Sequence, residues 1–365
     1  MEASIKHYYA GGNTARGFVS LFESSLQGLD SIFILKGGPG SGKSTLIRSI
    51  GNSMAERGYE IWFIHCASDN ASLDGVIIPQ LQAGIVDGTA PHVLEPKLPG
   101  AVEQYVNLGE AWDGHSLSHQ KGEIERLQAE IAAAYEQAYA HMEEALYIHD
   151  DWEAVYKARM NFASADQVTF ELIARIFGDV RYTKQAIQRH RFLGAATPQG
   201  PVDFIPNLTQ DVANRLFIKG RPGSGKSTML KKIAAVAEQR GVDTEIYHCG
   251  FDPNSLDMVI LRELGVAIFD STAPHEHEPA RENDEVIDMY ARCMQPGTDE
   301  EYAEQLKLLH ERYSGKMKEA TAALARAKQW HDRLEHIYVS AMDFRIVNQI
   351  RDRIVERLDA IAESL

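Results

Sequence analysis

The sequence is poor in cysteine, carries no surplus of basic residues and contains no long apolar run. Three cysteines, Cys66, Cys249 and Cys293, in 365 residues are too few and too scattered for a disulfide framework, which fits a reducing compartment. Lys and Arg number 37 against 52 Asp and Glu, a formal charge of −15. A role built on neutralising a nucleic-acid backbone needs the opposite balance. No stretch approaches the ~20 apolar residues that span a bilayer, and the opening Met1 to Tyr9 lacks the apolar segment of a signal peptide. The expectation is a cytoplasmic protein with neither a membrane nor a nucleic-acid partner. What is present, 44% hydrophobic and 24% charged residues, suits a globular chain. Its length suggests two or three domains, since one core stops growing near ~250–300 residues.

The chain repeats itself. Displaced by 183 positions, His7 to Pro96 lie over His190 to Pro279 without a gap. Identities cluster: Lys36-Gly37 and Pro39 to Thr45 match Lys219-Gly220 and Pro222 to Thr228, His65-Cys66 matches His248-Cys249, and Ser72 to Asp74 match Ser255 to Asp257. Thr89 to His92 likewise match Thr272 to His275. A displacement of 182 then pairs Met160 and Phe162 with Met342 and Phe344, so the repeat covers the whole chain. Two units follow, 1–185 and 186–365, which allow an internal pseudo-dimer.

Within each unit, short apolar runs at Ser31 to Leu35 and Arg215 to Ile218 end at a glycine-rich turn and read as buried parallel strands. Thr45 to Arg57 and Thr228 to Arg240 read as helices stopped by Gly58 and Gly241. Ile61 to Cys66 and Glu245 to Cys249 give a second strand, Ala83 to Asp87 and Val266 to Asp270 a third. Strand, helix and strand of these lengths predict a parallel sheet. Helical stripes through Ile124, Leu127, Ile131 and Tyr135, and through Leu306, Leu309, Tyr313 and Met317, predict a long antiparallel hairpin in each unit, about 115–180 and about 298–363. Packing between the two helices of each hairpin would account for those stripes, and a face for a protein partner is the alternative.

Two segments fit the pattern G-x-x-x-x-G-K-[ST] between a strand and a helix. They are Gly37, Gly38, Pro39, Gly40, Ser41, Gly42, Lys43 and Ser44, followed by Thr45, and Gly220, Arg221, Pro222, Gly223, Ser224, Gly225, Lys226 and Ser227, followed by Thr228. Glycines let backbone N–H groups and the positive end of the next helix face a polyphosphate. Lys43 and Lys226 would add mobile charge at the β- and γ-phosphates, and Ser44 and Ser227 a hydroxyl for Mg²⁺. Asp87 and Asp270, each ending an apolar strand, are the expected carboxylate partners of that Mg²⁺. No Glu follows either Asp, so the usual water-activating pair is missing. Ligands gather at the carboxyl ends of parallel strands, which brings Asp69 and His92, and Asp252 and His275, into consideration as bases. A zinc site from His65, Cys66 and His92, or from His248, Cys249, His275 and His277, matches no compact ligand spacing. His7 and His190 read either as part of a base pocket or as packed turn residues.

On these two loops, the paired His-Cys and Ser-Leu-Asp segments, and Asp87 to His92 with Asp270 to His275, the sequence resembles the P-loop NTPase superfamily. More narrowly, it is similar to a bacterial family of tandem P-loop ATP-binding proteins. The resemblance implies an α/β fold of two tandem P-loop NTPase domains, with ATP and Mg²⁺ as cofactors. No Asn-Lys-x-Asp guanine motif and no Leu-Ser-Gly-Gly transporter signature occurs. An ATPase whose sites are coupled to movement of the helical hairpins is the first reading. A small-molecule or nucleotide kinase is the second, weakened because no Arg lies between Arg57 and Arg126, although Arg262, Arg281 and Arg292 occur in the other unit. A nucleotide-gated binding module without appreciable turnover is the third.

Overall fold

A computed structural model describes residues 4–364. Met1 to Ala3, part of the leader reading, and Leu365 lie outside the described residues. The strands are β1 (Ile5–Tyr9), β2 (Gly11–Thr14), β3 (Gly17–Ser20), β4 (Ser31–Lys36), β5 (Ile61–Cys66), β6 (Asp69–Ile78), β7 (Ala83–Asp87) and β8 (Glu103–Asn107) in the first half. Their counterparts are β9 (Gln188–Phe192), β10 (Gly194–Thr197), β11 (Gly200–Asp203), β12 (Asn214–Lys219), β13 (Thr244–His248), β14 (Leu256–Leu261), β15 (Val266–Asp270) and β16 (Asp284–Asp288). Numbering only the helices longer than ten residues, α1 is Lys43–Glu56, α2 Lys121–Lys157, α3 Phe162–Phe177, α4 Lys226–Gln239, α5 Ala303–Ser340 and α6 Phe344–Ser364.

The protein is mixed α/β. Instead of two separate parallel sheets, one sheet of twelve strands runs β16-β12-β15-β14-β13-β9-β1-β5-β6-β7-β4-β8, and this order reads equivalently from either end. The halves meet where β1 pairs antiparallel with β9 at Tyr9 and Phe192. The expected parallel sheet is corrected to a mixed one. β4 pairs in parallel with β7 and β8, and β1 with β5, but β6 runs antiparallel to both β5 and β7. β14 does the same between β13 and β15. The chain reverses directly after Cys66 through a bulged register, so β6, the strand bearing Asp74, lies antiparallel between β5 and β7.

The helical hairpins are corrected as well. The long helix of each half packs along the long helix of the other rather than folding back on its own successor. Ala138 and Met142 of α2 meet Ala320, Ala323 and Leu324 of α5, and small side chains let the two axes approach closely. His141 facing Glu319 while Trp152 faces His310 makes the pair antiparallel. The shorter helices cross over too. α3 sends Val168, Leu172 and Phe177 into the core around Met229, Leu230 and Ile233 of α4. α6 sends Val347, Ile350, Ile354 and Leu358 against Leu46, Ile47 and Ile50 of α1. Asn161 N–H donates to the Cys293 carbonyl, and Asp343 N–H to that of Ala111, fixing both crossings. The stripes were legible as buried faces; which surface covered them was not.

Candidate functional site

Each glycine-rich loop joins the end of a buried strand to the first turn of a helix. α1 starts at Lys43 and α4 at Lys226, behind Gly42 and Gly225, both at φ +84°. A side chain is disfavoured in that left-handed region, and the turn aims the first backbone N–H groups of the helix into the loop. Lys43 Nζ folds over the loop, donating to the carbonyls of Gly37 (2.8 Å) and Gly38 (2.9 Å), and lies 3.6 Å from Asp87 Oδ2. Lys226 repeats this with Gly220 (3.3 Å), Arg221 (3.2 Å) and Asp270 Oδ2 (3.4 Å). Asp87 Oδ1 accepts from the N–H and hydroxyl of Thr89, and Asp270 Oδ1 from those of Thr272, so one oxygen of each carboxylate is held and the other faces the lysine. The Ser44 and Ser227 hydroxyl oxygens each accept 2.9 Å bonds, from Leu73 N–H and Leu256 N–H.

Within the loops, Ser41 Oγ donates to the Gly38 carbonyl at 2.8 Å. Arg221, which stands where the first loop has Gly38, turns away and pairs with Asp299 at 2.7 Å. Pro39, Pro222, Gly223, Ser224, Thr45 and Thr228 complete the two turns and first helical residues.

Asp74, Asp87 and His92 converge within 4.8 Å of one another. His92 Nε2 lies 3.4 Å from Asp74 Oδ2, and both side chains are buried. Burial works against the imidazolium, but the hydrogen bond and charge of Asp74, with the charge of Asp87, leave His92 above its ordinary pKa. In the second half His275 turns to Asp203 at 3.1 Å, and His277 reaches the same carboxylate at 3.0 Å. Burial lowers His275; Asp203, Asp257 and Asp270 outweigh it and raise the group. Asp257, the counterpart of Asp74, is pushed up to about 6, chiefly by burial. Asp74 and Asp257 were missed as site residues, although their place in the repeated Ser-Leu-Asp segments carried the signal.

Asp69 and Asp252 stand apart from these clusters. Asp69 caps its own turn through Ala71 N–H and Ser72 Oγ and lies 3.4 Å from Lys328 of α5. Asp252 pairs with Arg16 of the first half at 2.8 Å. His7 bonds His65 at 2.9 Å and His190 bonds His248 at 2.8 Å on the central strands, three to four strands away from β4 and β12. Burial, followed by the charges of His7 and Arg48, pulls His65 down to about 3, and burial lowers His7 as well.

Both loops are roofed by the other half. A Cβ on Gly40 would meet the Glu335 carbonyl oxygen at 2.8 Å, and one on Gly223 would meet that of Glu153 at 2.8 Å. Tyr338 covers Gly38, and Lys157 covers Gly223. Among the described residues no helix is long and apolar enough to cross a membrane. No protein-family model, curated protein or solved structure matches the chain.

Proposed function

We propose that the chain is a tandem P-loop ATPase with two Mg²⁺-dependent nucleotide sites, one at each glycine-rich loop. The observation that carries this reading is the repeated contact of a loop lysine, at the first residue of a helix, with a strand-end aspartate: Lys43 with Asp87 and Lys226 with Asp270. Backbone N–H groups at the start of α1 and α4 would receive the phosphates, and Lys43 and Lys226 would swing from the loop carbonyls onto the β- and γ-phosphates. The donors fit a hard divalent cation. Ser44 with Asp87, and Ser227 with Asp270, offer oxygens, and the buried Asp74 and Asp257 carboxylates lie behind them. Bound there, Mg²⁺ would neutralise charge on the β- and γ-oxygens.

The kinase reading loses support because the arginines it needs are engaged elsewhere. Arg262 is held by Glu245 and Asp211, Arg281 by the carbonyls of Thr209 and Val212, and Arg292 by Glu171. ADP release from Mg-ATP, measured with and without nucleosides, nucleotides and sugars, tests the proposal. Acceptor-independent release that disappears in the Lys43→Ala/Lys226→Ala protein is the expected result. Release that requires an acceptor would establish a kinase, and binding without release a switch.

A further inference from the structure

The sequence supplies no water-activating residue next to Asp87 or Asp270, yet the helix that roofs each loop from the opposite half carries a carboxylate–imidazole pair. α2 carries His149, Asp150 and Glu153, and α5 carries His331, Asp332 and Glu335 at the same spacing. In both helices the His and Glu are one turn apart and share a face. His149 Nδ1 lies 4.0 Å from Glu153 Oε1, and the ligating atoms of His331, Asp332 and Glu335 lie within 4.8 Å of one another. The backbone of each glutamate lies against the opposite loop: a Cβ on Gly223 would meet the Glu153 carbonyl oxygen and one on Gly40 that of Glu335, and one turn further along the helices Lys157 reaches Gly223 and Val339 reaches Gly40. His149 also packs 6.0 Å from Phe251, next to Asp252 in the second half.

We infer that each nucleotide site is composite: His331 serves as the base at the first loop and His149 at the second, each held in place by the glutamate one turn along its helix. The inference rests on the nucleotide-hydrolysing reading of the loops. A water oxygen attacks the γ-phosphorus, and the bond from that phosphorus to the bridging oxygen breaks, its electron pair leaving with ADP. The water proton passes to the imidazole and from there to solvent. A neutral imidazole is required. Burial lowers both histidines; the Lys226 charge adds to this at His149, and Lys328 does so at His331, against the neighbouring carboxylates. Asp252 acts on His149 and Asp69 on His331, which gives those two aspartates a place beside the base rather than as the base. Glu153 and Glu335 are positioning residues by this arrangement.

The test isolates one loop at a time. Lys226→Ala leaves the first loop and Lys43→Ala the second. His331→Ala and His149→Ala are placed in each background, and ATP hydrolysis is measured together with binding of a fluorescent ATP analogue. Removal of a base costs about 10²- to 10⁴-fold. The ratio of the two losses should therefore be large for His331 over His149 in the Lys226→Ala protein and invert in the Lys43→Ala protein. Added imidazole should restore part of the lost rate, which a misfolded variant would not show, and His331→Gln provides a second, milder lesion. Glu335→Gln in the Lys226→Ala background should lower kcat and leave KM for ATP unchanged. A ratio that fails to invert, or that inverts the other way, overturns the crossed assignment while analogue binding and hydrolysis keep the ATPase reading intact. If the unaltered protein does not bind the analogue, or binds it without hydrolysis, the ATPase reading falls and the crossed bases fall with it.

Discussion

Gly40 and the backbone of Glu335, nearly three hundred residues apart in the chain, are in contact: a Cβ on the glycine would stand 2.8 Å from the Glu335 carbonyl oxygen and 2.9 Å from Val339. Gly40 also holds φ +67°, and Gly223 holds φ +74° against Glu153. Gly40→Ala and Gly223→Ala therefore combine backbone strain with overpacking. Each should destabilise the protein by about 1–3 kcal/mol, read as a lower midpoint in urea unfolding. An unchanged midpoint would mean that the long helix retreats at little cost.

The exchange of terminal helices predicts where damage appears. Leu358 of α6 is fully buried in the core of the opposite half. Leu358→Ala should cost about 2–5 kcal/mol. Faster amide exchange should appear in α1, not in α4, even though α4 belongs to the same sequence half as the mutation.

Acid sensitivity centres on Glu245. Burial alone would raise this carboxyl, but Arg191 and Arg262 together with the Tyr247 hydroxyl draw it down to about 2. The ordinary value is about 4.3. A depressed folded-state pKa contributes stability that is complete above the ordinary value and is lost as pH falls towards about 2. Glu245→Gln leaves Arg191, which is sandwiched between Tyr8 and Trp62, with an uncompensated buried charge. The expected loss is about 3–5 kcal/mol at neutral pH. Denaturation across pH should show the gap between variant and parent narrowing from about pH 5 to pH 2.

Asp87 presents one oxygen to Lys43 while Thr89 holds the other. Asp87→Asn keeps the Thr89 bond and removes the charge. In the Lys226→Ala background it should raise the Mg²⁺ concentration for half-maximal ATP turnover about tenfold or more. A magnesium titration that does not move would take Asp87 out of the cation's surroundings.

Legibility in the sequence followed local chemistry. Ala83 to Asp87 and Val266 to Asp270 were read at their observed bounds, because an apolar run with turn residues at both ends leaves little freedom. β6 was missed because Asp69-Asn70-Ala71-Ser72 has the composition of a loop, and only the bulged pairing with β5 makes it a strand. The loop lysines and strand-end aspartates were found through spacing. The long helices themselves were read, but their place over the loops of the other half escaped, since a stripe such as Leu127, Ala138 and Met142 records that a face is buried without recording what buries it. Repetition at a displacement of 182 held a further sign in His149 and Glu153 against His331 and Glu335.

The crossing of α3 and α6 makes the halves hostages to each other. A chain cut in the connection between Phe177 and Gln188 would give two fragments, each bearing a helix whose apolar face packs into the core of the other. Neither fragment could close its own core, whereas the two together could rebuild the whole. Fragment complementation, rather than independent folding of two modules, is the behaviour this architecture dictates.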